Sequence, residues 1–268
     1  MNTDHPPLID GERLRFVLST GRTGTTQLRE FLRKNQAHLG IAFEPPPSRP
    51  AYILWNAECA GYPFRGMALK LLLRSKHKML AMNSGCTVEF DSYLSPLICV
   101  MLDHVDKAHV VHMVRHPYTW IESIGNFKAA SWRKHVVGHA PFTEIIHPHI
   151  RDQWRSLDRH EQLAWSWRHV NEQIIQRRGQ CRQYVRVKFE DFVCDSAGTR
   201  KTTINSMLEI LDPEHANPDY DIDVHEKLNR SETRHIEPWQ NWPERLLHSV
   251  NRICEPLMNE FGYDNHRP

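Results

Sequence analysis

Residues Ser19 to Thr26 read Ser-Thr-Gly-Arg-Thr-Gly-Thr-Thr and follow the run Leu14-Arg15-Phe16-Val17-Leu18. A glycine-rich turn between a strand and a helix aims backbone N–H groups, and the positive end of the helix, at an anion. Gly21 and Gly24 permit tight turns or close approach of a ligand. Thr25 and Thr26 add hydroxyl donors, and Arg22 supplies a permanent charge in a planar fork. A triphosphate loop would read G-x-x-x-x-G-K-[ST]. Here Thr25 follows Gly24, so the magnesium-nucleotide reading lacks its lysine. A structural turn would account for the same residues, so this stretch by itself is a weak signal.

The second stretch with chemistry in it is Val110–Ser123, "VVHMVRHPYTWIES". An arginine directly after a buried strand stands at the carboxyl edge of a sheet, where open α/β sheets bind ligands. If Pro117 starts a helix, Ser123 lies nearly two turns in and could share a ligand with Arg115. Taken alone, Arg115 would equally suit a surface ion pair and Ser123 a polar helix position.

Together the two stretches are more specific. The sequence resembles the sulfotransferases that use 3'-phosphoadenosine 5'-phosphosulfate (PAPS). The resemblance places the 5'-phosphosulfate on Arg22-Thr23-Gly24-Thr25-Thr26, with Gly21 at the turn, and the ribose 3'-phosphate on Arg115 and Ser123. "FEPPPSR", Phe43–Arg49, is similar to a segment of carbohydrate O-sulfotransferases whose glutamate serves as base, which implies Glu44. Fainter similarity extends over "LAWSWRHVNEQI", "RVKFEDFV" and "ICEPLMNEFGY". In "RVKFEDFV", Lys188-Phe189 stand where the family has Arg-Tyr. Arg22 and Glu44, in place of a loop lysine and a histidine base, put the chain nearer the carbohydrate and bacterial branches than the cytosolic small-molecule one.

The implied chemistry is in-line sulfuryl transfer, by analogy with phosphoryl transfer. Arg22 and the loop amides would stabilise charge building on the leaving phosphate. Glu44 would take the proton of an attacking hydroxyl; without the resemblance it would read as an exposed loop carboxylate. The implied donor is PAPS and the product PAP. No metal is expected, because PAP is a good leaving group and Arg22 supplies the cation. Two alternatives stay open: a P-loop-type kinase, and a non-catalytic descendant that binds PAP.

The elements that must position these residues follow from alternating apolar runs and helical periods. Strands are expected at Leu14–Ser19, Leu39–Phe43, Lys78–Asn83, Ala108–Val114 and Tyr184–Phe189. Helices are expected at Thr25–Lys34, Phe90–Leu102, Tyr118–Phe127, Glu161–Arg177 and Pro243–Phe261. This alternation implies a three-layer α/β, P-loop-like fold with a central mostly parallel sheet flanked by helices. One domain over 1–268 is expected, with 1–12 a loose N-terminal tail.

Composition narrows the partners. The chain has 268 residues, 40% hydrophobic and 25% charged, enough for a sizeable core. A net charge of +2 does not suggest nucleic acid. Six scattered cysteines without a Cys-x-x-Cys pair read as reduced thiols. No apolar run reaches the ~20 residues of a membrane span, and the polar start is no signal peptide. A cytoplasmic enzyme acting on a sugar, glycolipid or small-metabolite hydroxyl is the resulting expectation. Of the 18 histidines, His147 and His149 lack the partners of a zinc motif. Leu163, Trp167, Val170 and Ile174 read as a core stripe. Asn83 and Ser84 are candidates to line the cleft. Lys70 and Arg74 suit either an acceptor site or a solvated face. Arg230 and Arg234 fall where a late loop could close on the donor.

Overall fold

The computed structural model describes residues 8–59, 61–64, 66–127, 148–217, 219–222 and 236–263. In chain order the main elements are β1 (Ile9–Asp10), β2 (Leu14–Ser19), α1 (Thr25–Asn35), β3 (Gly40–Phe43), α2 (Ser48–Cys59) and α3 (Met67–Met82). Then come β4 (Thr87–Phe90), α4 (Ile98–Met101), β5 (Val105–Asp106), β6 (His109–Val114), α5 (Pro117–Gly125) and α6 (Arg159–Gln176). The remainder are β7 (Gln183–Lys188), α7 (Phe189–Phe192), α8 (Ala197–Leu211) and α9 (Glu244–Phe261).

Five strands form one sheet in the order β3-β4-β2-β6-β7, every pair parallel. The chain winds from β2 out to β3, back to β4, then across to β6 on the other flank of β2. The loops leaving β2 and β6 therefore part at the carboxyl edge, the crevice where open α/β sheets take ligands.

Side chains alternating along β2 feed two cores. Phe16 and Leu18 join Leu72, Leu80, Ile98 and Ile174 on one face. Val17 joins Leu28, Leu32, Ile204 and Met207 on the other. Each face buries an apolar layer under helices, the physical reason for a parallel sheet covered on both sides. The stripe Leu163, Trp167, Val170 and Ile174 on α6 is buried, as its helical spacing predicts.

Three expectations are corrected. Lys78–Asn83 is not a strand: it completes α3, whose buried positions Ala68, Leu72, Leu73, Lys76 and Leu80 keep a helical period. The third strand of the sheet is Thr87–Phe90, fully buried although it carries Glu89. Glu89 is matched there by an equally buried ion pair with Lys76 of α3. The expected helix from Phe90 to Leu102 is a loop followed by short helical turns at Ser95–Leu97 and Ile98–Met101. Of the expected loose tail, Ile9 is buried and Ile9–Asp10 pairs in parallel with Val105–Asp106. None of the six cysteines forms a disulfide, and no helix among the described residues is long and apolar enough to cross a membrane.

Candidate active site

The loop after β2 is shaped by its glycines. Gly21 and Gly24 have φ of 73° and 83°, the left-handed region that side chains disfavour. A Cβ at Gly24 would also sit 2.9 Å from the Phe189 ring, so no larger residue fits. Arg22 takes a positive φ of 56° without being glycine, a strained conformation held by its surroundings.

Three contacts hold the loop. Ser19 accepts from the Gly21 N–H at 3.0 Å, Ser95 Oγ accepts from the Ser19 N–H at 3.0 Å, and the Trp120 indole donates to the Gly21 carbonyl at 2.9 Å. Among the described residues the backbone N–H groups of Thr23, Gly24 and Thr25 meet no acceptor. Gly24 is the N-cap of α1 and Thr25 its first residue, so their N–H groups are orphan donors of a helix N-terminus, which favours an anion. The Thr23 side chain itself is fully buried, and its hydroxyl has no partner among the described residues.

The second segment closes on the first. Arg22 Nε donates to Ser123 Oγ at 3.1 Å. Arg115 Nη1 donates to the Arg22 carbonyl at 3.0 Å, and its Nε to Thr119 Oγ1 at 3.1 Å. Arg115 also stacks over the Phe189 ring at 4.5 Å, and Arg22 over the Phe127 ring at 4.8 Å. The Arg115 carbonyl is fixed by the Trp167 indole at 3.0 Å. Burial lowers the pKa of both guanidiniums from the ordinary value; for Arg115, nearby Arg22 lowers it further while Glu190 opposes. Both stay charged at any physiological pH. Two desolvated cations side by side favour an anion between them.

Glu44 lies on the opposite side of the loop. Its φ is 43°, and its N–H bonds to the Phe90 carbonyl at 2.8 Å. Ser92 donates to its Oε1 at 2.6 Å. The Ser92 Cβ would stand 3.6 Å from a Cβ built on Gly21, so a single serine separates the carboxylate from the loop. The structure thus brings Arg22, Arg115, Ser123 and Glu44 to one edge of the sheet. Thr25 and Thr26 open α1 beside them.

Asn83 and Ser84 do not join them. They are exposed at the amino end of β4, where the Asn83 amide donates to Thr87 Oγ1 at 3.3 Å. Lys70 and Arg74 are exposed on α3. Arg230, Arg234 and the His147 and His149 side chains lie outside the described residues.

Several residues of the site carried no sequence signal. Asp91, Ser92 and Ser95 follow β4, a strand whose apolar pattern Glu89 interrupts, so no local pattern marks their position at the carboxyl edge. Burial and the neighbouring Glu89 raise the Asp91 pKa to about 7, with Lys76 opposing. Asp91 Oδ1 accepts from the Tyr93 and Leu94 N–H groups at 2.9 and 3.1 Å, which sets the turn that carries Ser92 and Ser95.

No family model matches the chain, and no curated protein matches it by sequence. Solved structures do. The sulfotransferase domain of the Synechococcus PCC 7002 olefin synthase aligns over 98% of both chains at 18% identity, with a TM-score of 0.53. Sulfotransferase STF9 from Mycobacterium avium aligns over 95% of this chain and 78% of its own at 11% identity, with a TM-score of 0.50. The chain therefore has the sulfotransferase fold, a parallel sheet flanked by helices with a glycine loop after its central strand.

Proposed function

We propose that the protein transfers a sulfuryl group from PAPS to a hydroxyl on a small-molecule or carbohydrate acceptor. The observation that carries this reading is the direct contact between the two anion-handling segments: Arg22 bonds Ser123, and Arg115 bonds the Arg22 backbone. One ligand with two separated phosphate-type groups would bridge them. The 5'-phosphosulfate takes Arg22 with the N–H groups of Thr23, Gly24 and Thr25. The ribose 3'-phosphate takes Arg115 and Ser123.

In the reaction the acceptor oxygen attacks sulfur as the bond from sulfur to the phosphate oxygen breaks. PAP leaves with that electron pair, and the acceptor proton passes to Glu44. Arg22 and the loop N–H groups stabilise the charge growing on the leaving oxygen. Ser92 orients the Glu44 carboxylate, leaving its second oxygen to face the acceptor. No lysine stands in the loop to serve a triphosphate, which disfavours the kinase alternative.

The test is incubation with PAPS and a panel of sugars, glycolipids and small alcohols, followed by mass spectrometry. The gain of one sulfuryl group on an acceptor, with release of PAP, supports the reading. PAP binding without transfer to any acceptor would favour the non-catalytic alternative, and phosphoryl transfer from ATP would favour the kinase.

A further inference from the structure

A second cluster with ligand chemistry lies at the other end of the sheet. His38 belongs to the turn between α1 and β3, and Asp212 and His215 follow the end of α8. His38 Nε2 is 3.0 Å from Asp212 Oδ2, and His215 Nδ1 is 3.0 Å from Asp212 Oδ1. The two imidazole rings lie side by side, centroids 4.1 Å apart with planes tilted by 44°. One donor atom from each residue falls within 4.8 Å of the others. Because β3 runs parallel to β2, the turn before it stands at the amino edge, away from the glycine loop.

The carboxylate is the telling member. The Asp212 side chain is 6% exposed, and its ion-pairing partners among the described residues are these two imidazoles, with no lysine or arginine. A buried carboxylate calls for a cation. Imidazoles supply one only when protonated, and two protonated rings this close repel each other. A single divalent ion would neutralise the carboxylate with both rings neutral. The support behind the ligands is in place too. Buried Gln36, with its amide nitrogen turned to the carboxylate, donates to Asp212 Oδ2 at 2.9 Å. Backbone bonds from Asp212 N–H to Leu208 and from Leu39 N–H to Gln36 fix the two turns. Hydrogen bonds that orient ligands in this way accompany built metal centres.

The geometry points to a peripheral divalent transition-metal site of two histidines and one aspartate, with solvent completing the coordination. Bond lengths of about 2.0–2.2 Å to nitrogen and oxygen would need the three donor groups to re-aim at a common point, since the present imidazole nitrogens face separate oxygens of Asp212 at 3.0 Å. Two imidazoles select zinc-type ions over magnesium or calcium, which prefer oxygen ligands. The ion would tie the α1–β3 turn to the end of α8, a structural clamp independent of the sulfuryl-transfer reading.

The test uses the full chain after treatment with a chelator. Zn(II) is titrated by calorimetry and Co(II) by its visible absorption, in the parent and in the double variant His38→Gln, His215→Gln. Both positions are substantially exposed, so the variant should fold, which its circular dichroism checks. One tight equivalent in the parent, weakened at least tenfold in the variant, is expected. Zn(II) should raise the melting temperature of the parent and leave that of the variant unchanged. No tight equivalent in the parent, or the same equivalent and the same melting shift in both proteins, would overturn the site. If the double variant misfolds, Asp212→Asn takes its place, and unchanged zinc binding there would overturn the site equally.

Discussion

Arg22 Nε donates to Ser123 Oγ across 3.1 Å, joining residues 101 positions apart. The bond ties the glycine loop to the second turn of α5. With PAPS bound, each partner would turn to a different phosphate group of the donor. Ser123→Ala should then raise the KM for PAPS by roughly threefold to tenfold, the scale of one net hydrogen bond. Because the 3'-phosphate is remote from sulfur, kcat should change little. Steady-state kinetics with varied PAPS checks this, and a fall in kcat at unchanged KM would put Ser123 in the chemical step instead.

Glu44 is the candidate base. Glu44→Gln should lower kcat by roughly 10²–10⁴, the range of a general base, with PAP affinity almost unchanged. Ser92→Ala should reduce kcat more mildly, since the carboxylate survives but loses its 2.6 Å tether. Near-normal turnover of Glu44→Gln would move the base elsewhere.

Arg22 stands where a P-loop lysine is absent. Arg22→Ala should cost about 10²–10³ in turnover, typical of one group that stabilises developing charge. Arg22→Lys should recover part of this, because the charge remains while the planar fork is lost. Equal turnover of Arg22→Ala and the parent would remove Arg22 from the mechanism.

These residues were largely legible in the sequence because their signals are local. β2, α1 and α5 each announce themselves by an apolar run or period next to a glycine or proline, and the two motifs sit at their ends. The segment from Lys78 to Ser95 was not legible. "KMLAMN" is short and apolar, and such a run fits a strand or the end of a helix equally. β4 was hidden because Glu89 interrupts its apolar pattern, and only Lys76, 13 residues away on another element, makes that glutamate tolerable. With β4 misplaced, Ser92 and Ser95 had no visible route to the loop. His38 and Asp212 are likewise brought together by tertiary packing, which no local pattern encodes.

Asp91, buried beside Glu89 and Lys76, gives a pH dependence. Asp91 titrates near 7 in the folded protein and near 3.9 in an unfolded chain. Its contribution to stability is therefore full below about pH 4 and is lost as pH rises through 7. Asp91→Asn keeps the oxygen that accepts from Tyr93 and Leu94 but cannot ionise. The melting temperature of the variant minus that of the parent should then increase from pH 5 to pH 8, since titrations of groups away from Asp91 cancel in the difference. A constant difference would mean that Asp91 does not titrate in this window.

The most direct test of PAPS as donor is the affinity for PAP against that for adenosine 5'-monophosphate, which lacks only the 3'-phosphate, in the parent and in Arg115→Ala. A charge-assisted hydrogen bond is worth about 1.5–3 kcal/mol, or roughly tenfold to more than a hundredfold in affinity. Calorimetry should show the parent preferring PAP by at least that factor, and Arg115→Ala losing most of the preference while its weak binding of the monophosphate is unchanged. Equal binding of the two nucleotides by the parent, or a preference that survives in Arg115→Ala, would contradict the assignment of Arg115 to the 3'-phosphate and, with it, the choice of PAPS as donor.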